Sequence, residues 1–182
     1  MIERLKNIMK KVLIVIDMQN DFVTGTLGSP EAQAIVPNVI NKIKYCPLDT
    51  TLIFTRDTHF ENYVSSLEGK MLPVIHCQND TKGWEIIPEL SEYATKASRI
   101  IDKYTFGYKD WDKHFAGAEE LEFELCGLCT DICVVSNALA LRMFYPNTKI
   151  TVDASCCAGV TPESHQAALT TMKMCQINVI GE

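Results

Sequence analysis

The chain has 182 residues, of which 47% are hydrophobic and 22% are charged, as is ordinary for a soluble globular protein. This length predicts a single domain over residues 1–182 with one substantial core. The formal net charge of -6 argues against a nucleic-acid partner, because nucleic acids bind to basic patches. No apolar run is long enough to cross a membrane, so a membrane partner is not expected either.

The N-terminus and the cysteines indicate the cellular compartment. Residues 1–11 are basic and lack the apolar core and small-residue cleavage site of a secretory signal. The eight cysteines lie largely inside apolar strand-like or helix-like segments, whereas a disulfide scaffold would space them through loops. We therefore expect reduced cysteines and a cytoplasmic protein.

Apolar, β-branched runs alternate with helical patterns along the chain. The predicted strands are Val12 to Ile16, Thr51 to Thr55, Arg99 to Asp102, Leu121 to Cys126, Lys149 to Val152 and Asn178 to Ile180. The predicted helices are Glu31 to Tyr45, Ile86 to Tyr93, about Thr161 to Cys175, and one that follows Cys126. This alternation predicts an α/β fold of three layers, αβα, with a central, mostly parallel sheet of five or six strands. The polar, irregular stretch from Asp57 to Trp84 is long enough to be a functional loop.

Cys133 lies at the predicted start of a helix, in the sequence Cys-Gly-Leu-Cys-Thr-Asp-Ile-Cys. Thr130 and Asp131 are natural N-cap residues, which would put Cys133 in the first helical turn. A thiol there is close to free backbone N–H groups and to the positive end of the helix dipole. This position predicts a lowered thiol pKa and a nucleophilic thiolate. A cysteine packed beneath a helix as a small apolar residue is the alternative.

Three reactive residues follow predicted strands, where ligands bind in an open parallel sheet. Asp17 ends the run Val-Leu-Ile-Val-Ile, Lys103 follows Arg-Ile-Ile-Asp, and Cys133 follows the strand that ends at Cys126. Taken alone, Asp17 is also compatible with a turn cap and Lys103 with a solvated charge. Together they suggest a thiol nucleophile, a carboxylate that takes its proton and a cation that stabilises both anions.

These motifs identify a family resemblance. The segment Val-Leu-Ile-Val-Ile-Asp17-Met-Gln-Asn-Asp-Phe, then Lys103, then the motif around Cys133 resemble the isochorismatase-like cysteine hydrolase superfamily. The resemblance extends from about Lys11 to the C-terminus and implies that Asp17, Lys103 and Cys133 form a catalytic triad. Because true isochorismatases of this superfamily lack the nucleophilic cysteine, Cys133 implies amide hydrolysis through a thioester.

The same resemblance implies how the reacting group is held. The backbone N–H groups of Cys129 and Cys133 would stabilise the oxyanion, and the peptide bond between Leu128 and Cys129 would be cis. The aromatic side chains that follow the motif residues are candidate pocket walls, although each could equally be ordinary core. These candidate walls are Phe22, Phe106 and Tyr108.

A second constellation suggests a metal site. Asp57-Thr-His59 places two ligands on one side of an extended segment, and the remote His76 can close a site of nitrogen and oxygen ligands. Each histidine alone is compatible with a structural or surface position. The ordered set resembles the metal site of the nicotinamidase branch, and Glu68 falls where some members supply a further carboxylate. The resemblance implies a divalent metal, zinc first, with iron or manganese as alternatives.

The segment after His59 departs from the pattern of that branch. Members usually have a His-Pro pair after the aspartate, whereas this chain reads His59-Phe-Glu-Asn-Tyr, and Ile75 separates Pro73 from His76. The catalytic motif is therefore intact while the metal and substrate loop is remodelled.

The resemblance as a whole implies a homo-oligomeric amidase that hydrolyses a small carboxamide, nicotinamide to nicotinate and ammonia. Two alternatives remain open. One is a hydrolase of an N-carbamoyl compound or ureide, in which Asp57 and His59 have only structural roles. The other is a non-catalytic, redox-sensing protein in which Cys129 or Cys126 serves as the resolving thiol.

Overall fold

A computed structural model describes residues 10–115 and 120–182. The basic segment in which we expect no secretory signal lies mostly within residues 1–9, outside the described part. Each strand occurs where a strand is expected, and all except the last are longer than the sequence pattern predicts. They are β1 (Lys10–Ile16), β2 (Thr51–Asp57), β3 (Arg99–Lys103), β4 (Leu121–Leu128), β5 (Lys149–Ala158) and β6 (Asn178–Ile180).

The six strands form one sheet in the order β3-β2-β1-β4-β5-β6, and every neighbouring pair is parallel. The predicted parallel sheet is therefore confirmed. From β1 the chain winds outward to β2 and β3, and it then returns to the centre and winds the other way from β4 to β6. This order creates a topological switch point between β1 and β4, where open α/β sheets bind their ligands.

Helices follow most of the strands. They are α1 (Asn20–Val23), α2 (Pro30–Ala34), α3 (Val36–Lys44), α4 (Leu67–Met71), α5 (Pro88–Lys96), α6 (Val135–Phe144) and α7 (Pro162–Met174). Parallel strands are joined by right-handed crossovers, so the helices that follow the two halves of the sheet lie on opposite faces. Accordingly α3 packs with α5, and α6 packs with α7, which gives the predicted three layers. Within residues 10–115 and 120–182, no helix is both long and apolar enough to span a bilayer.

The single helix predicted over Glu31 to Tyr45 is wrong, because the chain forms α2 and α3 with a break at Ile35. Pro37 explains the break. In a continuous helix its missing N–H would leave the carbonyl of Gln33 without a partner, and its ring would clash with that carbonyl. In the first turn of α3 neither problem arises, and the predicted inner residues Val39 and Ile43 remain buried.

The centre of the sheet forms the core, because both faces of the central strands are covered by helices. The five residues from Val12 to Ile16 are all buried, as a strand covered on both faces requires. Strand β5 reaches Ala158 instead of ending at Val152. The polar residues Asp153 and Ser155 interrupt the apolar pattern there, and their side chains hydrogen-bond to each other inside the continuing strand.

Candidate active site

The sheet order brings together residues that are far apart in sequence. Asp17 directly follows β1, and Cys133 follows β4 on the other side of the switch point. Asp57 and Lys103 are register partners at the ends of β2 and β3. Because parallel strands end at the same edge of a sheet, all four side chains converge beyond the carboxyl ends of these strands.

Lys103 is the centre of this cluster and is only 1% exposed. Its Nζ atom lies 2.6 Å from Oδ2 of Asp17, 3.1 Å from Oδ1 of Asp57 and 3.4 Å from Sγ of Cys133. The second oxygen of Asp17 accepts a 2.7 Å hydrogen bond from the hydroxyl of Thr55. The predicted triad residues are thus in contact, and one buried ammonium group joins them to Asp57.

Burial controls the protonation state of the thiol. It raises the pKa of Cys133 well above its usual range, although the adjacent Lys103 ammonium acts in the opposite direction. Burial also raises the pKa of Asp17 above its ordinary value, against the effect of the same ammonium. The expected lowering of the thiol pKa is therefore wrong, since desolvation outweighs the effect of the Lys103 ammonium. A thiol of raised pKa thus lies beside a carboxylate that is more basic than usual.

The helix that carries Cys133 begins with a five-residue π-helical turn, Thr130–Val134, before α6. The predicted side-chain N-cap is wrong, because Cys129 occupies the cap position without a side-chain bond. The Thr130 hydroxyl instead pairs with Nδ1 of His165, and the Asp131 carboxylate accepts the backbone N–H of Val160. Cys133 nevertheless lies in the first helical turn. Such π turns are rare and occur frequently at functional sites.

The peptide bond between Leu128 and Cys129 is cis, as predicted. Gly127, just before it, has a φ of 115°, a region that favours glycine. A Cβ atom at this position would also lie 2.1 Å from the carbonyl oxygen of Ile16, so no side chain fits between β4 and β1.

The four predicted metal ligands also come together. One potential ligand atom from each of Asp57, His59, Glu68 and His76 lies within 4.8 Å of all the others. His59 Nε2 is 2.9 Å from Asp57 Oδ2 and 3.5 Å from Glu68 Oε1, and His76 Nε2 is 3.7 Å from the same Asp57 oxygen. His76 is oriented by a 2.8 Å contact between its Nδ1 and the carbonyl of Val74.

The chemistry of this group fits a divalent metal. Among the described residues, His59 Nε2 is buried and has no hydrogen bond of acceptable geometry, although Asp57 Oδ2 and Glu68 Oε1 lie 2.9 Å and 3.5 Å away. A buried polar atom without a partner is costly unless it binds something. Two imidazoles and two carboxylates suit zinc, iron or manganese better than calcium, which prefers oxygen ligands alone.

Gln19 holds the start of this ligand set in place. Its amide donates to the backbone carbonyls of Asp57 (2.9 Å) and Trp84 (2.8 Å), and its oxygen accepts the Asp57 N–H (2.7 Å). The side chain is fully buried. Just beyond the end of β1, the Gln19 side chain therefore bonds to the Asp57 backbone much as a neighbouring strand would.

A cavity of about 870 Å³ opens above the two clusters, and Asp57, Glu68, His76 and Cys133 contribute to its lining. Phe22 and Phe106 also line it, as expected for pocket walls. Among the described residues Tyr108 does not line this cavity. Its hydroxyl pairs with His114, and its ring packs against Trp111, so it belongs to a neighbouring aromatic cluster.

The sequence-based expectations omit Gln19 and Thr55. Gln19 lies inside the Asp17 motif, two positions after Asp17, and this position is the available signal. Thr55 carries no such signal, because a threonine is ordinary in a strand. Leu67 and Met71 line the cavity beside Glu68. In the sequence, however, they resemble the residues of any exposed helix.

Comparison with known proteins identifies similar chains over nearly the full length. A nicotinamidase of Schizosaccharomyces pombe is 27% identical over 207 residues, covering 93% of this chain and 92% of its own. The Arabidopsis thaliana "Probable inactive nicotinamidase" is 29% identical over 192 residues, covering 95% and 91%. The structure of Pyrococcus horikoshii pyrazinamidase in complex with zinc has a TM-score of 0.79 at 28% identity, covering 95% of this chain and 99% of that one.

The family model for the isochorismatase domain matches residues 11–181. The match begins one residue after the start of β1 and includes β6, so it contains the entire sheet and both clusters at its switch point. The chain therefore belongs to the isochorismatase family.

Proposed function

We propose that this protein hydrolyses nicotinamide to nicotinate and ammonia through a thioester on Cys133. The observation that carries the proposal is the position of the Lys103 ammonium, which contacts Asp17, Cys133 and Asp57 at once. The nucleophile and three of the proposed metal ligands line one cavity, and the Lys103 ammonium connects the base Asp17 to them. The similarity to a nicotinamidase and to a zinc-containing pyrazinamidase supports the substrate and the metal.

The first half of the proposed reaction forms the thioester. Asp17 accepts the Cys133 proton as Sγ attacks the carboxamide carbon, which explains why a base is needed beside a thiol of raised pKa. Lys103 stabilises the charge that develops on both partners. The backbone N–H groups of Cys129 and Cys133 bind the oxyanion, an effect worth about 3–4 kcal/mol per donor elsewhere.

The second half releases the products. Protonated Asp17 returns its proton to the amide nitrogen, the carbon–nitrogen bond breaks and ammonia leaves. Asp17 then deprotonates a water molecule that attacks the thioester carbon. The carbon–sulfur bond breaks, the acid is released and the thiol regains its proton.

Asp57, His59, Glu68 and His76 are the proposed metal ligands, with zinc as the first choice and iron or manganese as alternatives. When bound, the metal would coordinate the pyridine nitrogen and so orient the ring for attack. The convergence of two imidazoles and two carboxylates within 4.8 Å supports a metal role over a purely structural one. This favours a pyridine carboxamide over the alternative N-carbamoyl or ureide substrates.

The redox-sensing alternative is less well supported. A sensor needs thiols of low pKa that are accessible to oxidants. Burial raises the pKa of Cys129 to about 12 and that of Cys126 well above its usual range. All eight cysteines, each within the described residues, are free thiols.

The decisive experiment measures ammonia release from nicotinamide by zinc-loaded protein. We expect Cys133→Ala to lower kcat by about 10⁴-fold or more, as removal of a nucleophile does elsewhere. Cys157→Ala is the matched control, because this thiol is also buried but does not line the cavity, and we expect turnover to persist. Ammonia release retained by Cys133→Ala would exclude the thioester mechanism.

Two further properties are proposed with the function. We propose a cytoplasmic location, which the free cysteines support. We also propose a homo-oligomer, and light scattering at several protein concentrations tests this prediction.

A further inference from the structure

The cavity above the two clusters is larger than a pyridine ring with one carboxamide requires. Its volume of about 870 Å³ lies near the upper end of the roughly 300–1,000 Å³ found for pockets that enclose drug-sized ligands. Cys133, Asp57 and His76 are buried, so they lie at the floor of the cavity. Much of the cavity therefore extends away from the site of chemistry.

This additional space has an apolar lining. The buried wall is formed by Ala32 and Leu128, and the more exposed rim includes Phe106 and Val160. The charged lining residues are Asp57 and Glu68, and the described part of the lining contains no lysine or arginine. An uncharged apolar group would be accommodated in this space, whereas a carboxylate would lose its hydration there without a lysine or arginine in the described lining to pair with.

Helix α4 connects the apolar rim to the metal ligands. It carries Glu68 toward His59, and its neighbouring side chains Leu67 and Met71 line the cavity. Leu67 is 79% exposed and Met71 is 81% exposed, so no residue within 10–115 or 120–182 covers them. Adjacent exposed apolar side chains at the mouth of a cavity are typical of a ligand-binding surface.

We propose that the preferred substrates are primary carboxamides whose ring carries an apolar substituent, which is buried against α4 and the opposite rim. This inference rests on the proposed amidase function and names its substrate class. Nicotinamide itself is then a minimal substrate that fills only the floor of the cavity.

The test compares nicotinamide with derivatives that carry a butyl or phenyl group at ring position 4, 5 or 6. For the best-placed butyl derivative we expect kcat/KM to exceed that of nicotinamide by about tenfold or more, since each buried methylene contributes roughly threefold to fourfold. The derivative with a carboxylate in the same position should be a poorer substrate than nicotinamide.

A second measurement separates this inference from the proposed function. Calorimetry with the Cys133→Ala variant compares the binding of nicotinate with that of its butyl and phenyl derivatives, and it needs no turnover. Tighter binding of an apolar derivative would support the inference, and failure of the wild-type protein to release ammonia from nicotinamide would separately refute the proposed reaction. If nicotinamide is hydrolysed but no derivative binds more tightly or reacts faster, the inference is wrong and the function stands.

The rim itself is tested with a matched pair of variants. Met71→Gln keeps the length of the side chain but removes its apolar character, so we expect the advantage of the butyl derivative over nicotinamide to fall severalfold. Met174→Gln is the control, because Met174 is 80% exposed on α7 and does not line the cavity. If the butyl derivative keeps an equal advantage over nicotinamide in both variants, the proposed position of the substituent is wrong. A partner subunit that excludes the derivatives would also contradict it.

Discussion

The Lys103 ammonium is almost completely buried, and a buried charge is stable only when its partners compensate for lost hydration. Two carboxylates do so here, those of Asp17 and Asp57. Burial lowers the pKa of Lys103, but the Asp17 and Asp57 carboxylates raise it well above its usual value. The lysine is therefore expected to remain charged while a proton moves between its neighbours in the proposed reaction.

Asp17 has a φ of 47°, in the left-handed region that residues other than glycine rarely adopt. Its backbone N–H donates to the carbonyl of Thr55, and its carboxylate accepts from the Thr55 hydroxyl. These bonds hold the end of β1 against β2, and they direct the Asp17 carboxylate toward Lys103. The surrounding structure thus enforces a conformation that the isolated segment would disfavour.

Gln19 is predicted to be a positioning residue for Asp57, one of the proposed metal ligands. Gln19→Ala removes the three hydrogen bonds that hold the Asp57 and Trp84 backbone, and leaves buried groups without partners. Each such group costs about 1–3 kcal/mol. We expect zinc affinity and kcat/KM to fall at least about tenfold, measured by zinc titration and ammonia release at a temperature where the variant is folded.

Asn20→Ala is the control for Gln19→Ala. Asn20 has the same side-chain amide, and within the described part of the chain it bonds to the carbonyls of Lys82 and Glu85 and not to Asp57. The substitution Asn20→Ala is therefore expected to weaken the same loop without releasing Asp57, the proposed metal ligand. Equal losses of zinc affinity in the two variants would show that loop stability, not the position of Asp57, is responsible.

Among the elements, α3 is attached to the sheet by a buried charge cluster. Lys42 on α3 forms ion pairs with Glu124 on β4 and Asp153 on β5, and Lys11 on β1 also pairs with Glu124. None of these four charged residues has a proposed catalytic role. Their position indicates that they orient α3 on the sheet.

We predict that Lys42→Met lowers the free energy of unfolding at pH 7 by about 3–5 kcal/mol, because it leaves two buried carboxylates without their shared cation. Urea denaturation measures this difference. Lys173→Met is the control, since its partner Glu182 is on the surface and such pairs contribute about 0–1 kcal/mol. A loss equal to that of the control would show that Lys42 is not required to balance the two carboxylates.

The effect of Lys42→Met should also depend on pH. Burial raises the pKa values of Glu124 and Asp153, but their lysine partners outweigh it and lower both below the ordinary values. A depressed folded-state pKa contributes stability above the unfolded-state pKa of about 4, and that stability is lost as the pH falls through the folded-state value. The difference between the wild type and Lys42→Met should therefore shrink below about pH 4.

Across the whole molecule, a bound metal would connect segments that are otherwise held separately. The proposed ligands come from the end of β2, from α4 and from the extended segment that carries His76. A ligand that binds only the folded state stabilises it by about 2.7 kcal/mol at a concentration 100 times its Kd. For a chain of this size we expect saturating zinc to raise the Tm by roughly 5–10 °C.

His59→Ala should abolish most of this zinc-dependent rise in Tm, as measured by calorimetry with and without a chelator. His114→Ala is the control, because His114 pairs with Arg99 and Tyr108 outside the cluster, and its rise in Tm should equal that of the wild type. A zinc-dependent rise that persists in His59→Ala would place the metal elsewhere.

The sequence alone determined which elements form and which chemistry they carry. Buried strands reveal themselves as continuous apolar runs, so β1 to β6 were predictable, and contiguous motifs identified Asp17, Cys133 and the Asp57-Thr-His59 pair. The helix from Glu31 was predicted incorrectly, although the signal of Pro37 was local. What depended on local residue types could thus be derived from the chain itself.

Only the tertiary structure decided how those residues act together. The low pKa expected for Cys133 depended on the helix start, but burial, which no local pattern reports, reverses the direction of the shift. The role of Gln19 arises from contact with Asp57, 38 residues away, and the displacement of Tyr108 from the cavity arises from its contacts with Trp111 and His114. Desolvation and long-range contacts are properties of the packed molecule, because they depend on which segments the sheet order brings together.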